Sequence, residues 1–489
     1  MTQKSIKKNT IYNAIKTLST IVFPLITFPY ASRVLLPDNM GKIDFGSSVV
    51  SYFGLLASLG ITTYAIRECS AVRNNKQELS NIASQIYSIN IITTIISYLL
   101  LCLTLVFYRK LENYRTLIII QSLSILATTL GTDWLNSAME DFKYITIRSV
   151  CFQVISLGLM FIFIHHPEDY MKYSVISLLS SAGANIVNIC YRKKYCEVRF
   201  IRDIKNGLRW KSHMVPIMLL FVMLLAQTIF NSVDKTMLGI MHGDYEVGIY
   251  GTAHKISNII TQLVTSILWV IMPRMSYYFA EGDYSKINQF LRKILGFNAL
   301  LGLPCAVGTF FLSDEIILII AGNEYSEASS VLKILMIGFV FTLFGGGFLG
   351  NSVLLPAKKE KQFMIICCIA AVVNVITNYI FIPMYGACAA AGTTVLCALV
   401  ILVVLICTMD KKIHIDNIIS LLITPVIGCG GIAIVCIVCR NIANLWGRTV
   451  CSVTISVCLY FAVTYFGNNE MMRSSTDGII NRLKRRYNK

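Results

Sequence analysis

An uninterrupted apolar run, residues 386–409, reads GACAAAGTTVLCALVILVVLICTM and contains no charged side chain. A helix needs about 20 apolar residues to cross the hydrocarbon core of a bilayer, because each residue adds about 1.5 Å along its axis. The run is therefore long enough to cross a membrane as a single helix. Runs of similar length and character recur along the chain from residue 11 to residue 467.

The composition of the whole chain agrees with this local pattern. Hydrophobic residues make up 55% of the 489 residues and charged residues only 14%, and the mean hydropathy is +0.65. A soluble chain of this length does not need so much apolar surface, so lipid must act as part of the solvent. We expect an all-α, polytopic membrane protein.

The basic residues and the cysteines do not indicate another class of protein. The formal charge is +17, but the basic residues lie in short segments between apolar runs, which is typical of topology determinants and not of nucleic-acid binding. Most of the sixteen cysteines lie inside apolar runs. Cys436 and Cys439 have CxxC spacing, but no second pair lies nearby, so we expect no metal site and no cofactor.

Apolar windows bounded by charged and turn residues predict about 14 transmembrane helices, in two pseudo-symmetric six-helix bundles plus a final helix pair. The predicted helices span residues 11–36, 43–66, 82–107, 116–139, 145–166, 171–191, 215–241, 247–273, 289–312, 328–353, 362–383, 386–409, 417–439 and 449–467. The predicted domains are an N-terminal bundle (1–191), a basic cytoplasmic connection (192–214), a C-terminal bundle (215–412), the final pair (413–467) and a basic cytoplasmic tail (468–489).

Charged residues inside the predicted helices are the candidate site residues, because a charge at membrane depth is costly unless it faces a polar cavity or a partner. The outer thirds of these helices contain Arg33, Asp234, Lys235, Lys255 and Lys333. Their positive excess suits a cavity that receives an anion. The alternative is that the long cationic side chains snorkel to the interface and that Asp234 neutralises a neighbour.

One acid, Asp133, lies in the predicted helix 116–139 near its cytoplasmic end. A proton or cation coupling site is the functional interpretation, and Asp234 is a second candidate for the same role. The structural alternative for Asp133 is a hydrogen bond in helix packing, with Trp134 as an interfacial anchor. The sequence leaves both interpretations open.

Sequence motifs of soluble catalysts are absent. The chain has no Walker-type GxxxxGK, kinase loop, nucleophile elbow or HExxH, and no predicted cytoplasmic segment is large enough to hold a nucleotide site. We therefore expect no catalytic residues and no ATP hydrolysis by this chain.

Several short stretches, taken together in their order and spacing, resemble one family over nearly the whole chain. These are residues 33–37 (RVLLP) with Gly41, 60–65 (GITTYA), 133–134 (DW) with 140–148 (EDFKYITIR), 233–239 (VDKTMLG), 248–255 (GIYGTAHK), 322–325 (GNEY), and 374–378 (NVITN) through Pro383 and Gly386. The sequence resembles the oligosaccharide flippase or polysaccharide biosynthesis family (Wzx-type) of the multidrug/oligosaccharidyl-lipid/polysaccharide exporter superfamily.

The resemblance implies a protein of the bacterial cytoplasmic membrane that moves an undecaprenyl-diphosphate-linked oligosaccharide from the inner to the outer leaflet by alternating access. Its product would serve O-antigen, capsule or exopolysaccharide synthesis. The implied partners are the lipid-linked oligosaccharide, membrane lipids, H⁺ or Na⁺, and polysaccharide polymerase or export proteins, with no nucleic acid. Arg33, Lys235 and Lys255 are then candidates to receive the diphosphate, with Lys333 as a fourth cation.

Two other functions stay open at this point. An ion-coupled multidrug exporter of the same superfamily usually moves cations, so acids should outnumber lysine and arginine in its cavity. A membrane glycan polymerase or ligase needs a sizeable outward loop, whereas the longest predicted loop here is the basic connection 192–214.

The distribution of basic residues predicts that both termini and the connection 192–214 are cytoplasmic, because positive loops stay on that side. A reporter enzyme fused after Lys489 should be active in its cytoplasmic form only. Activity of an extracytoplasmic reporter at the same position would refute the predicted orientation.

Overall fold

The computed structural model describes residues 6–201, 210–410, 412–467 and 472, and this part of the chain is helical, without strands. Eleven helices or joined helical segments within it are long and apolar enough to cross a membrane. The predicted all-α membrane architecture is confirmed, while the number fourteen stays a prediction. Most of the predicted tail (468–489) and the middle of the predicted connection (202–209) lie outside the described residues.

The chain divides into two compact units, residues 1–248 and 249–489. The helices of the first unit are α1 (Ile6–Ser58), α2 (Ile61–Ala71), α3 (Lys76–Phe107), α4 (Arg115–Gly131), α5 (Asp133–Ala138), α6 (Phe142–Phe163), α7 (Tyr170–Leu178), α8 (Ala184–Tyr191) and α9 (Trp210–Met241). Those of the second are α10 (Asp244–Glu281, starting just before the boundary), α11 (Tyr284–Phe311), α12 (Ser313–Ile320), α13 (Ala328–Thr342), α14 (Glu360–Cys407), α15 (Ile418–Cys439) and α16 (Leu445–Phe466).

Helix α9, which the sequence analysis assigns to the C-terminal bundle (215–412), belongs to the first unit. Its polar side chains face α1: Thr236 and Ser232 lie 2.8 and 2.9 Å from the hydroxyls of Ser48 and Ser51. In an apolar surrounding such hydrogen bonds hold helices together, because the alternative is an unsatisfied polar group. The compact units are divided after residue 248, and the predicted domain limits, including the connection 192–214, stay predictions.

Two helices are about twice as long as a bilayer requires, and each contains one break. Leu36 in α1 has φ 64° and precedes Pro37, and proline disfavours the helical conformation of the residue before it. Gly386 in α14 has φ 53° and ψ −131°, a conformation that suits glycine. The breaks coincide with the gaps predicted between 36 and 43 and between 383 and 386.

The final helix pair is attached to the rest of the second unit by polar contacts. The Tyr460 hydroxyl in α16 donates to the carbonyl oxygen of Leu300 in α11 at 2.8 Å. Arg448 in α16 lies 3.0 Å from the buried Glu315 of the short helix α12. Because charges buried from water are costly unless paired, these contacts fix where α15 and α16 pack.

Helices α1 and α10 approach so closely within the first unit that only glycine fits at two positions. A Cβ atom on Gly41 would lie 1.8 Å from the carbonyl oxygen of Asp244, and one on Gly248 would lie 2.1 Å from that of Pro37. Small residues allow such close backbone contact between membrane helices.

Gly41→Ala should therefore lower the stability of the protein, because the added methyl group must displace backbone. Overpacking of this kind costs about 1–3 kcal/mol. The measurement is the thermal midpoint of the purified protein in one detergent. Gly158→Ala is the matched control, since nothing lies within 4 Å of a Cβ atom there; an equal loss in both variants would contradict the assigned close contact.

Candidate functional site

The first unit contains a cavity of about 720 Å³ whose wall is rich in hydroxyl and amide groups. The hydroxyl side chains on the wall are Ser47, Ser51, Ser58, Thr62, Ser124, Thr128, Thr129, Ser137, Ser174, Ser177 and Ser181, and the amides are Asn90, Gln121 and Asn185. A polar wall in a membrane-embedded unit is costly unless it meets water or a polar ligand. The cavity is therefore the candidate functional site.

Helical spacing brings these hydroxyls onto one surface. Ser47, Ser51, Gly54 and Ser58 recur every three or four residues along α1, so they share a face of that helix. Ser124 and Thr128 follow the same spacing on α4. The sequence analysis did not single out this pattern, although a row of serine and threonine at helical spacing in an apolar run is a readable signal.

Several of these hydroxyls donate their hydrogen to their own helix. Ser51 donates to the carbonyl oxygen of Ser48 at 2.7 Å, Ser124 to that of Gln121 at 2.7 Å, and Thr128 to that of Ser124 at 2.8 Å. A hydroxyl has one hydrogen to donate but two lone pairs. Hydroxyls bonded in this way can still accept hydrogen bonds, so the wall suits a ligand with many donors.

The wall has two charged side chains, Lys16 and Asp133. The predicted position of Asp133 inside a spanning helix is wrong: α4 ends at Gly131, Thr132 has φ 45°, and Asp133 starts the short helix α5. The left-handed conformation of Thr132 ends the helix there, since the chain cannot continue a right-handed helix through it.

Asp133 has an extensive set of partners on one of its two oxygens. Its Oδ1 accepts hydrogen bonds from Arg148 Nη2 at 3.0 Å, from Asn136 at 3.1 Å and from Asn188 at 3.1 Å. Arg148 is buried, with a side chain only 6% exposed, and that of Asp133 is 30% exposed. The sequence analysis missed Arg148, although an arginine inside the apolar run 145–166 is a signal for a buried partner.

Burial raises the pKa of Asp133, but the Arg148 guanidinium, the Asn136 amide and the charge of Lys16 together outweigh burial and hold its pKa below the usual value. Asp133 therefore stays ionised at neutral pH. Its predicted role in ion coupling stays a prediction, and the structure adds that Arg148 is its direct partner.

The other predicted site residues of the first unit, Arg33, Asp234 and Lys235, do not line this cavity. Lys235 in α9 forms an ion pair with Asp44 of α1, with Nζ and Oδ2 3.2 Å apart and side chains only 14% and 9% exposed. Asp234 is buried, and Arg33 is exposed just before the break at Leu36. The sequence analysis also missed Asp44, although an acid inside the predicted helix 43–66 indicates a buried partner.

In the second unit, Lys333 has a direct counter-ion. Its Nζ lies 3.0 Å from both carboxylate oxygens of Asp314, and Arg440 lies 3.7 Å from the same carboxylate. Lys255 is half-buried in α10. The structure thus pairs Lys235 and Lys333 with acids of their own units, and the roles predicted for all four cations stay predictions.

Among the described residues, no cluster of three or more His, Cys, Asp or Glu side chains could hold a metal ion. Cys436 and Cys439 are buried free thiols in α15. Their burial among apolar side chains is typical of cysteine as a small apolar residue.

Comparison with known proteins gives relatives and a shared fold. The chain is 22% identical to a candidate O-antigen transporter of Shigella dysenteriae, over 78% of this chain and 94% of that protein. It is also 22% identical to the capsular polysaccharide biosynthesis protein CapF of Staphylococcus aureus, over 81% of this chain and 97% of that protein. Its fold matches the lipid II flippase MurJ in an inward closed conformation, with a TM-score of 0.71, 15% identity, and coverage of 95% and 100%.

Two family models match the sequence. The one described as MatE matches residues 220–380, about a third of the chain. The one described as polysaccharide biosynthesis protein matches residues 6–279, more than half of the 489 residues and the whole cavity-bearing first unit from α1 onward. The chain therefore belongs to the polysaccharide biosynthesis protein family.

Proposed function

We propose that this chain is a flippase that moves an undecaprenyl-diphosphate-linked oligosaccharide from the inner to the outer leaflet of the bacterial cytoplasmic membrane. The observation that carries the proposal is the hydroxyl-rich cavity of the first unit, found in a chain of the polysaccharide biosynthesis family. An oligosaccharide offers many hydroxyl donors, which match a wall of hydroxyl and amide acceptors.

The relatives support this substrate class. One is named for O-antigen transport and another for capsular polysaccharide biosynthesis, and the structure with the shared fold is named for flipping lipid II, a lipid-linked molecule. We propose that the present chain acts on a substrate of the same kind and that it catalyses no covalent step. Polysaccharide polymerase or export proteins would then use its product.

We extend the proposal to the cations. Arg33, Lys235, Lys255 and Lys333 would receive the diphosphate, which carries negative charge through the membrane and needs positive partners there. The ion pair with Asp44 gives Lys235 a counter-ion at rest, so binding of the diphosphate by Lys235 requires exchange of one anion for another.

We also propose that both termini are cytoplasmic, as the reporter fusion tests, and that an H⁺ or Na⁺ gradient drives transport through Asp133 or Asp234. Asp234 lies in α9 and is 2% exposed, and Asp133 is paired with Arg148. Loss of the gradient response in Asp234→Asn would support Asp234 as the coupling acid, and a full response would exclude it.

A drug exporter is the second candidate, because the MatE family model matches residues 220–380. The cavity wall of the first unit speaks against a cationic drug as substrate. Its acid, Asp133, already has Arg148 as a partner, and Lys16 shares the same wall. With Arg148 counted, a cationic ligand would therefore meet two positive charges and one negative charge at this wall.

The proposed function predicts flipping without ATP by the purified chain in proteoliposomes. Lipid-linked oligosaccharide placed in the inner leaflet should become accessible to an added lectin or glycosidase, and protein-free vesicles should give no such signal. Movement of cationic drugs without movement of the lipid-linked oligosaccharide would contradict the proposal in favour of an exporter. Extension of the glycan chain would contradict it in favour of a polymerase.

Variants of the ion pair between Lys235 and Asp44 can distinguish a role of Lys235 in substrate binding from a role in stability. Lys235→Met and Asp44→Asn should each destabilise the protein by about 3–5 kcal/mol, because each breaks a buried ion pair by removing one partner. The double variant should recover much of this stability, since it removes both charges. Thermal midpoints in detergent measure this.

Transport by the double variant is the decisive measurement. If Lys235 receives the diphosphate, the double variant stays impaired in the proteoliposome assay in spite of its recovered stability. Full recovery of transport would assign to Lys235 a structural role alone.

A further inference from the structure

We propose that Oδ2 of Asp133 is a fixed hydrogen-bond acceptor for the glycan of the substrate, so that this acid contributes to sugar recognition in the cavity of the first unit. The inference rests on the proposed function and deepens it. Oδ2 of Asp133 requires a hydrogen-bond donor, and the substrate would supply it.

The two oxygens of Asp133 have different surroundings. Three donors from three different helices, α5, α6 and α8, converge on Oδ1 at 3.0 to 3.1 Å. Oδ2 receives no hydrogen bond from any described residue, although its side chain lies on the cavity wall and is 30% exposed. A carboxylate oxygen can accept two hydrogen bonds, so Oδ2 has unused capacity in a residue that lines the cavity.

The partners of Asp133 are themselves held in place. Arg148 also donates through Nη1 to the amide oxygen of Asn188, and its guanidinium lies 5.4 Å from the centre of the Tyr144 ring. Tyr144 stacks on Tyr191 with ring centres 3.5 Å apart. Because each group is fixed by another, the carboxylate cannot rotate without loss of several contacts, and Oδ2 stays in position before any ligand arrives.

The neighbouring wall does not supply the missing donor. Ser124 and Thr128 give their hydrogens to their own helix carbonyls, as Ser51 does. Lys16 shares the wall, but the donors to Asp133 among the described residues are Asn136, Arg148 and Asn188, all at Oδ1. In this structure a donor to Oδ2 therefore comes from water or from a ligand. A sugar hydroxyl or the N–H of an N-acetylated sugar fits this requirement, whereas a carboxylate group of an acidic sugar would bring two negative charges together.

The volume of the cavity also limits how much of the substrate can bind there. Its volume of about 720 Å³ lies within the range of about 300–1,000 Å³ that small-molecule sites occupy. The site therefore receives part of an oligosaccharide. We infer that Asp133 recognises one neutral or N-acetylated sugar with a free donor group.

Asp133→Asn provides a sharp test, because it changes one atom from acceptor to donor. The three donors at Oδ1 require the amide oxygen of asparagine at that position, so its NH₂ group must replace Oδ2. Equilibrium binding would be measured on the full chain in lipid nanodiscs with two probes: lipid-linked oligosaccharide extracted from the bacterium that supplies the chain, and undecaprenyl diphosphate without sugar. We expect about 10- to 100-fold weaker binding of the first probe, since a hydrogen bond to a charged group is lost, and unchanged binding of the second.

Arg148→Gln is the matched control for the ion pair. It breaks the same contact between Asp133 and Arg148 but keeps the carboxylate, so oligosaccharide binding should fall much less than in Asp133→Asn. Thermal midpoints of both variants would be measured beside binding. Equal losses of oligosaccharide binding in the two variants would overturn the inference in favour of a packing role for the pair.

The remaining outcomes are also decisive. Equal weakening for both probes would assign Asp133 to the lipid diphosphate end and overturn its role in sugar recognition. Unchanged binding with loss of the response to an imposed ion gradient in proteoliposomes would assign it to ion coupling instead. If the wild-type chain binds neither probe, the proposed function fails as well, whereas failure of the Asp133 prediction alone leaves wild-type binding intact.

Discussion

The absence of water in the bilayer core is the constraint on which this structure depends. Each backbone N–H and C=O group there must find its partner within the protein, and helices meet this requirement within one segment. The described part of the chain accordingly consists of helices and the connections between them, without strands. In the two longest helices the backbone leaves helical geometry at Leu36, which precedes Pro37, and at Gly386.

The same constraint determines how polar side chains are accommodated. Several hydroxyls on the cavity wall of the first unit donate to carbonyl oxygens one turn earlier in their own helix, so much of the polar wall forms with its hydrogens already bonded. Buried charges have counter-ions close by, as in Lys235 with Asp44 and Arg148 with Asp133. A polar cavity can therefore exist inside a unit whose remaining surface is largely apolar.

The periodic and local features were predictable from the sequence, and the distant pairings were not. Apolar windows predicted the all-α membrane architecture and left gaps at residues 36–43 and 383–386, where the two breaks lie, because these signals depend on neighbouring residues alone. Asp133 was identified as an unusual acid, but its partners Arg148 and Asn188 lie 15 and 55 residues away along the chain. Which helix faces which depends on packing, so pairs of this kind require the fold.

The bonding of wall hydroxyls to their own helices has an evolutionary consequence. Serine and threonine make this bond equally well, so one can replace the other without disturbing the helix beneath. A wall built in this way tolerates neutral drift in its sequence while it keeps its acceptor character. Selection would then preserve the backbone conformation more than the identity of individual side chains. This agrees with relatives that match the chain over most of its length at only 22% identity.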